Sequence, residues 1–359
     1  MIAIGRLKVE RRLEVSRLWQ FLSIVIAVLA SIAVCAFLLD TAGANVGEAF
    51  GHIYAGAFGS RHTAIETLVK ATPLIFTGLA VTVAFRAKIW NIGAEGQLFA
   101  GAIMAYLAST LLGWLPGALL VVAIMAAAFA GGALYGGLAG VLKSRFGVNE
   151  VLSTVMLNYV IRYFLSYMLV QGPWRDPESF YQQTPRLADV AQFPLLLADT
   201  RLHVGFLIAL VVAVLVYLLL FRTTLGFEIR AVGFNAVASR FKGIKVNRTI
   251  VIVMLISGGI AGLAGAGEVF GVHYRLKPDI SSGFGFTGII IAMLGGLHPV
   301  GVIIAAILFG GLVNGGIRMQ VLTGVPTALI SAIEAIVLLF FLTAAVMTRY
   351  QIRIVREDE

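Results

Sequence analysis

FRTTLGFEIRAVGFNAVASRFKGIKVNR, Phe221–Arg248, is the longest strongly basic interruption in a chain that otherwise passes from one apolar run to the next. It carries Arg222, Arg230, Arg240, Lys242, Lys245 and Arg248 against a single acid, Glu228. Gly226 and Gly243 punctuate its ends, and the part from Phe227 to Phe241 has helical character. With apolar segments before and after it, the stretch reads as a short helix hung between two membrane spans. Composition leaves two readings open: a basic loop that only fixes topology, or a surface for another protein to grip. The small and aromatic residues Ala231, Gly233, Phe234, Ala236 and Ala238 favour docking.

The composition around it excludes a water-soluble globular enzyme. Hydrophobic residues make up 59% of the 359 residues and charged ones 13%, and the mean hydropathy is +0.95. Runs of about 20 apolar residues require helices, because hydrocarbon offers the backbone no other partner. The expected fold is an all-α polytopic membrane protein with about ten transmembrane helices. The runs lie near 18–39, 67–84, 92–112, 117–142, 150–170, 203–221, 249–270, 285–297, 299–315 and 328–347. Those at 285–297 and 299–315 are short and split by Pro299, so they read either as two spans or as a re-entrant hairpin. Residues 1–17 form a basic N-terminal segment and 348–359 a tail, flanking a membrane domain over 18–347. The first apolar run is too long for the core of a signal peptide and reads as an uncleaved span.

A net charge of +9 invites a nucleic-acid or anionic-lipid reading. The distribution points to topology instead. With the N-terminus inside and ten crossings, Lys and Arg concentrate in the inside segments, which places both termini and the loop 222–248 in the cytoplasm. The external loop 171–202 is long enough to fold on itself or receive an extracytoplasmic partner. Cys35, the only cysteine, sits in the first run and reads as packing.

Three further signals carry chemistry. Gly132, Gly136 and Gly140 recur every fourth residue, and Gly258, Gly259, Gly262, Gly265 and Gly267 crowd another span, a pattern for close helix contact. WNIGAEGQLFAGA, 90–102, puts Asn91, Glu95 and Gln97 at the entrance of a span. They read as a polar lining of a pathway or as a helix-start cluster near the headgroups. GVNEVLSTVMLNY, 147–159, opens the next polar stripe, Glu150, Thr154, Asn158 and Arg162. Such a stripe must face protein or water, and its length favours a translocation path. Glu268 and Glu334 are isolated acids, either ion sites or charges neutralised by basic neighbours.

No catalytic or metal-binding arrangement is visible. The histidines 52, 62, 203, 273 and 298 are scattered, and no nucleophile–base pairing stands out. Gly283 to Gly288 spells GxGxxG, but it enters an apolar run without a following acidic partner, and no GxxxxGK[ST] occurs.

NIGAEGQLFAGA, NEVLSTVMLNY and TTLGFEIRAVGFNAVASRFKGIKV together resemble the membrane permeases of ABC importers for branched-chain amino acids and simple sugars, in particular the purine nucleoside and simple sugar subgroup. The likeness runs from about residue 65 to 347. It implies a permease with no ATPase of its own, ATP and magnesium being bound by a partner. It implies two permease subunits around one pathway, often a heterodimer, with two cytoplasmic ATP-binding subunits or domains, an extracytoplasmic solute-binding protein and a bacterial plasma (inner) membrane. Glu228, Arg230, Ala231, Gly233, Asn235 and Ala238 match its coupling segment. The cargo expected is a nucleoside or simple sugar moved by alternating access, with branched-chain amino acids as the alternative. The residues themselves also leave open a different class, an ion-coupled secondary transporter working through Glu95, Glu268 or Glu334.

Overall fold

The computed structural model describes residues 6–11 and 17–355. Residues 1–5, 12–16 and 356–359, parts of the basic N-terminal segment and the tail, lie outside the described residues. The chain is helical apart from one short ribbon and divides into two compact units, residues 1–56 with 315–359, and residues 57–314.

In the first unit, α1 (Arg17–Thr41) is followed by α2 (Val46–Phe58), bent from it by 118°. The break has local causes. Gly43 takes a left-handed φ of 74°, and Asn45 Oδ1 caps the new helix by accepting from the Gly47 and Glu48 amides. The sequence reading missed α2. The unit also holds α13 (Thr327–Arg349), which packs on α1, and a core of Cys35, Leu39, Ala49, Met319, Ile330 and Ile333. Cys35 is buried there, as packing. Strand β1 (Arg6–Arg11) pairs antiparallel with β2 (Tyr350–Val355), Arg6 opposite Val355.

The second unit contains α3 (Arg61–Arg86), α4 (Ala94–Leu111), α5 (Gly117–Phe146), α6 (Glu150–Val170), α7 (Gly205–Arg222), α8 (Thr224–Phe234), α9 (Ala236–Phe241), α10 (Val246–Ala266) and α11 (Phe284–Leu294). α12 (Pro299–Thr323) follows α11 in the chain. α10 runs on into a π-helical turn, Gly267–His273. α3 is the buried centre of the unit, touching α4, α7, α10 and α11.

Among the described residues, six helices are long and apolar enough to cross a membrane, or up to seven if the bent pair α1–α2 is one span. The all-helical membrane class holds, but this count does not reach the ten crossings expected, although a helix occupies each of the ten runs. α4 and α6 have the length, but the polar residues of Glu95–Gln97 and of the α6 stripe lower their hydropathy. α11, with 11 residues, is about 16 Å long at 1.5 Å per residue, roughly half of a hydrocarbon core. It covers half a crossing before the turn at Gly295–His298, where Gly296 and Leu297 both take positive φ and Pro299 opens α12.

The glycine repeats are explained by one seam. Gly132, Gly136 and Gly140 of α5 face Gly258, Gly262, Met254 and Val251 of α10, and Gly101 of α4 meets Gly262. A methyl group at Gly132 or Gly258 would strike the carbonyl oxygen of the other. The backbones approach as closely as only small residues allow.

Candidate functional site

The polar residues at the start of α4 form a closed knot. Asn91 Nδ2 donates to Gln97 Oε1 (3.0 Å) and to Ser257 Oγ (2.9 Å), while Asn91 Oδ1 accepts from Gln97 Nε2 (3.1 Å) and the Gly93 amide (2.9 Å). Ser257, on α10, donates onward to the Ala80 carbonyl of α3 at 2.7 Å. Asn158 of α6 accepts from the Gly96 amide at 2.8 Å and donates to the Ile92 carbonyl at 3.0 Å. Thr154 packs against Gly93, and its hydroxyl donates back to the Glu150 carbonyl. The α6 stripe thus faces α4. Glu150 takes no part in the knot and pairs with Lys143 across the α5–α6 turn at 2.5 Å, and the Arg162 guanidinium lies over the Phe99 ring.

Glu95 reaches further. Its carboxylate accepts from the Gly285 amide at 2.7 Å and is bonded by the Ser281 side chain, so it caps the N-terminus of α11. An acid is favoured there by the exposed amides and the helix dipole. The GxGxxG spelling finds its reason in this packing: Gly285 lies against the Glu95 backbone and Gly288 against Thr77, with no room for a Cβ at either. Asn91, Glu95, Gln97, Thr154 and Asn158, expected along a translocation pathway, are all enclosed in this packing. None is more than 2% exposed, and within this chain they join α4 to α3, α6, α10 and α11.

At the other candidate, the basic stretch is two helices rather than one. Asn235 breaks the run in an extended conformation and its Oδ1 accepts from the Val237 and Ala238 amides, capping α9. α8 is held on the bundle by its inner face. Gly233 sits directly under the Arg86 carbonyl at the end of α3, and the guanidiniums of Arg86 and Arg230 both lie over the Phe221 ring, at 5.3 and 5.7 Å. His298 packs on the same ring, and Arg86 Nε donates to the Leu297 carbonyl (2.9 Å). Of the six residues matched to the coupling segment, Gly233 is buried, Glu228, Arg230 and Ala231 are half-buried, and Asn235 and Ala238 are exposed. Gly233 and Arg230 therefore serve the attachment of α8 rather than its outer face. That face is aromatic: Phe227, Phe234, Val237 and Phe241 stand out, Phe234 and Phe241 at 84% and 88% exposure. The sequence reading had not singled out Phe227, Val237 or Phe241, although their clustering beside the basic residues was the available signal.

The 171–202 loop folds on itself and onto the π-helical turn. Amides of Thr184, Leu187 and Phe193 donate to the carbonyls of Leu276, Tyr274 and Phe270. Arg275 bonds Asp176 (2.8 Å) and the Thr184 carbonyl. Arg201 pairs with Glu66 of α3, whose carboxylate raises the guanidinium above its ordinary value. His203 is buried, and its Nδ1 accepts from the Gly205 amide at 3.1 Å. Burial pushes its imidazole down to about 4. Glu268 lies 3.5 Å from His273 Nε2. Glu334, on α13, comes within 4.0 Å of the position a Cβ on Gly316 would take.

The family model described as "Branched-chain amino acid transport system / permease component" matches residues 63–342. The guanosine ABC transporter permease protein NupP of Bacillus subtilis is 38% identical, over 95% of this chain and 97% of its own length. The glucose ABC transporter permease protein TsgB13 of Haloferax volcanii is 34% identical over 92% of this chain and 89% of its own. The guanosine ABC transporter permease protein NupQ, also of B. subtilis, is 30% identical over 68% of this chain and 78% of its own. No solved structure matches the chain. The apolar helices, the basic two-helix excursion between α7 and α10 and this match over most of the length lead to one conclusion: the chain belongs to the family of ABC transporter permease components that the branched-chain amino acid systems define.

Proposed function

We propose that this chain is the membrane-spanning permease subunit of an ATP-driven importer for nucleosides or simple sugars. The observation that carries the reading is the aromatic outer face of α8–α9 on a chain of this family, fixed to the bundle by its inner face. An exposed cluster of Phe and Val between two spans is a docking surface. In this reading two cytoplasmic ATP-binding subunits or domains supply the hydrolysis, with ATP and magnesium bound there. Closure of these motors pushes α8 against Arg86 and Phe221, and so against the ends of α3 and α7. Asn235 and Ala238 lie on the side the motor touches, while Glu228, Arg230, Ala231 and Gly233 transmit its movement. The glycine seam lets the bundle move as close-packed rigid pieces, which suits alternating access.

The relatives named for guanosine and for glucose support a hydroxyl-rich neutral cargo rather than a branched-chain amino acid. Two guanosine permease proteins of one organism, of unequal similarity to this chain, support a second, different permease subunit. An extracytoplasmic solute-binding protein docking near the 171–202 loop and a bacterial inner membrane complete the assembly. Co-purification of the tagged chain from native membrane, followed by ATPase assays with nucleosides, pentoses, hexoses and branched-chain amino acids, tests it. The reading expects an ATP-binding subunit in the complex and stimulation by loaded binding protein. A chain that purifies alone and transports on a proton or sodium gradient establishes the ion-coupled class instead, with Glu268 and Glu334 as its acids.

A further inference from the structure

We propose that the pocket between the first turn of α8 and the start of α10 seats the headgroup of one anionic phospholipid. The pocket, about 420 Å³, is lined by Thr224, Leu225, Glu228, Gly243, Lys245, Arg248, Thr249 and Ile252. Two exposed cations, Lys245 and Arg248, stand in it against one half-buried acid, Glu228. The Glu228 carboxylate already accepts a long hydrogen bond, 3.5 Å, from the Thr249 hydroxyl. The start of α8 adds the positive end of its dipole, since Thr224 and Leu225 are its first two residues and Thr223 Oγ1 caps only the Gly226 amide. The balance favours an anion.

Depth and the second wall decide what kind of anion. Two spans end here: α7 stops at Arg222 and α10 starts at Val246, so the pocket lies at headgroup level. Leu225 and Ile252 give it an apolar side beside the polar one. The preceding span, α7, leaves the apolar Val211, Val214, Leu215 and Leu218 exposed. A phosphate carried on acyl chains satisfies both walls, whereas a free phosphate leaves the apolar side wet. Basic pockets between helices at a membrane surface bind lipid headgroups in this way. The occupant bridges α8 to α10 and so steadies the segment that carries the aromatic face.

The test needs binding alone. The purified full-length chain in detergent is offered phosphatidylglycerol or phosphatidylcholine, and retained lipid is counted by native mass spectrometry, with inorganic phosphate as competitor. Selective retention of phosphatidylglycerol, not displaced by phosphate, is expected. Lys245→Gln and Arg248→Gln each weaken it about fivefold, the weight of one cation at an anionic surface. Arg240→Gln with Lys242→Gln, exposed cations of the same stretch outside the pocket, leaves it unchanged. Equal retention of both lipids overturns the proposal, as does equal loss in the two sets of variants, which marks diffuse surface charge. Displacement by phosphate shows a free-anion site and overturns it too. The competition on the unaltered chain stands without any variant.

Discussion

Asn158 shows how much rests on single polar side chains in this chain. It closes the buried amide of Gly96 and the half-buried carbonyl of Ile92, where the chain turns into α4. Asn158→Leu leaves both without partners, at about 1–3 kcal/mol for each buried group. A lower thermal midpoint is expected. His203 makes a second prediction. Its folded value of about 4 lies below the ordinary 6.5, so the unfolded chain binds the proton more readily. The contribution of the neutral ring is complete above pH 6.5 and is lost as pH falls from there towards 4. Thermal melts across that window should fall with pH, and His203→Gln should flatten the slope. The sequence exposed Asn91, Glu95, Gln97 and Asn158 as polar residues needing a reason. It did not expose the partners: Gly285 is 190 residues from Glu95 and Ser257 is 166 from Asn91. A polar stripe facing a neighbouring helix and one facing water have the same spelling.

At the scale of the element, α8 and α9 show which features sequence carries. The excursion and its breakers were legible because charge and glycine are local signals. The break at Asn235 was hidden inside a run of helix-compatible residues, and only the cap geometry reveals it. α2 was hidden in the same way, its apolar residues diluted by glycine, glutamate and histidine. The two sides of α8 predict opposite phenotypes. Gly233→Val pushes a side chain into the Arg86 carbonyl and should lift α8 from the bundle, abolishing uptake while the protein still reaches the membrane. Phe234→Ser with Phe241→Ser should leave the melting behaviour intact and weaken retention of the ATP-binding subunit by about tenfold, as loss of aromatic anchors does elsewhere. Wild-type retention in the second variant removes the aromatic face from the docking account.

For the whole molecule, the periodic apolar runs made the membrane class legible. The number of crossings was not, because α11 is too short to cross alone and α1 breaks into α2. Hydropathy counts apolar residues and is blind to where a helix turns back. The central claim is that a separate motor drives this chain through α8–α9. The most direct measurement is uptake of radiolabelled guanosine and glucose into vesicles holding the purified complex with its binding protein, with ATP inside and ionophores present. The account predicts uptake of one of these solutes that requires ATP, ignores the ionophores and disappears in Gly233→Val. Uptake that persists without ATP and collapses with the ionophores contradicts it.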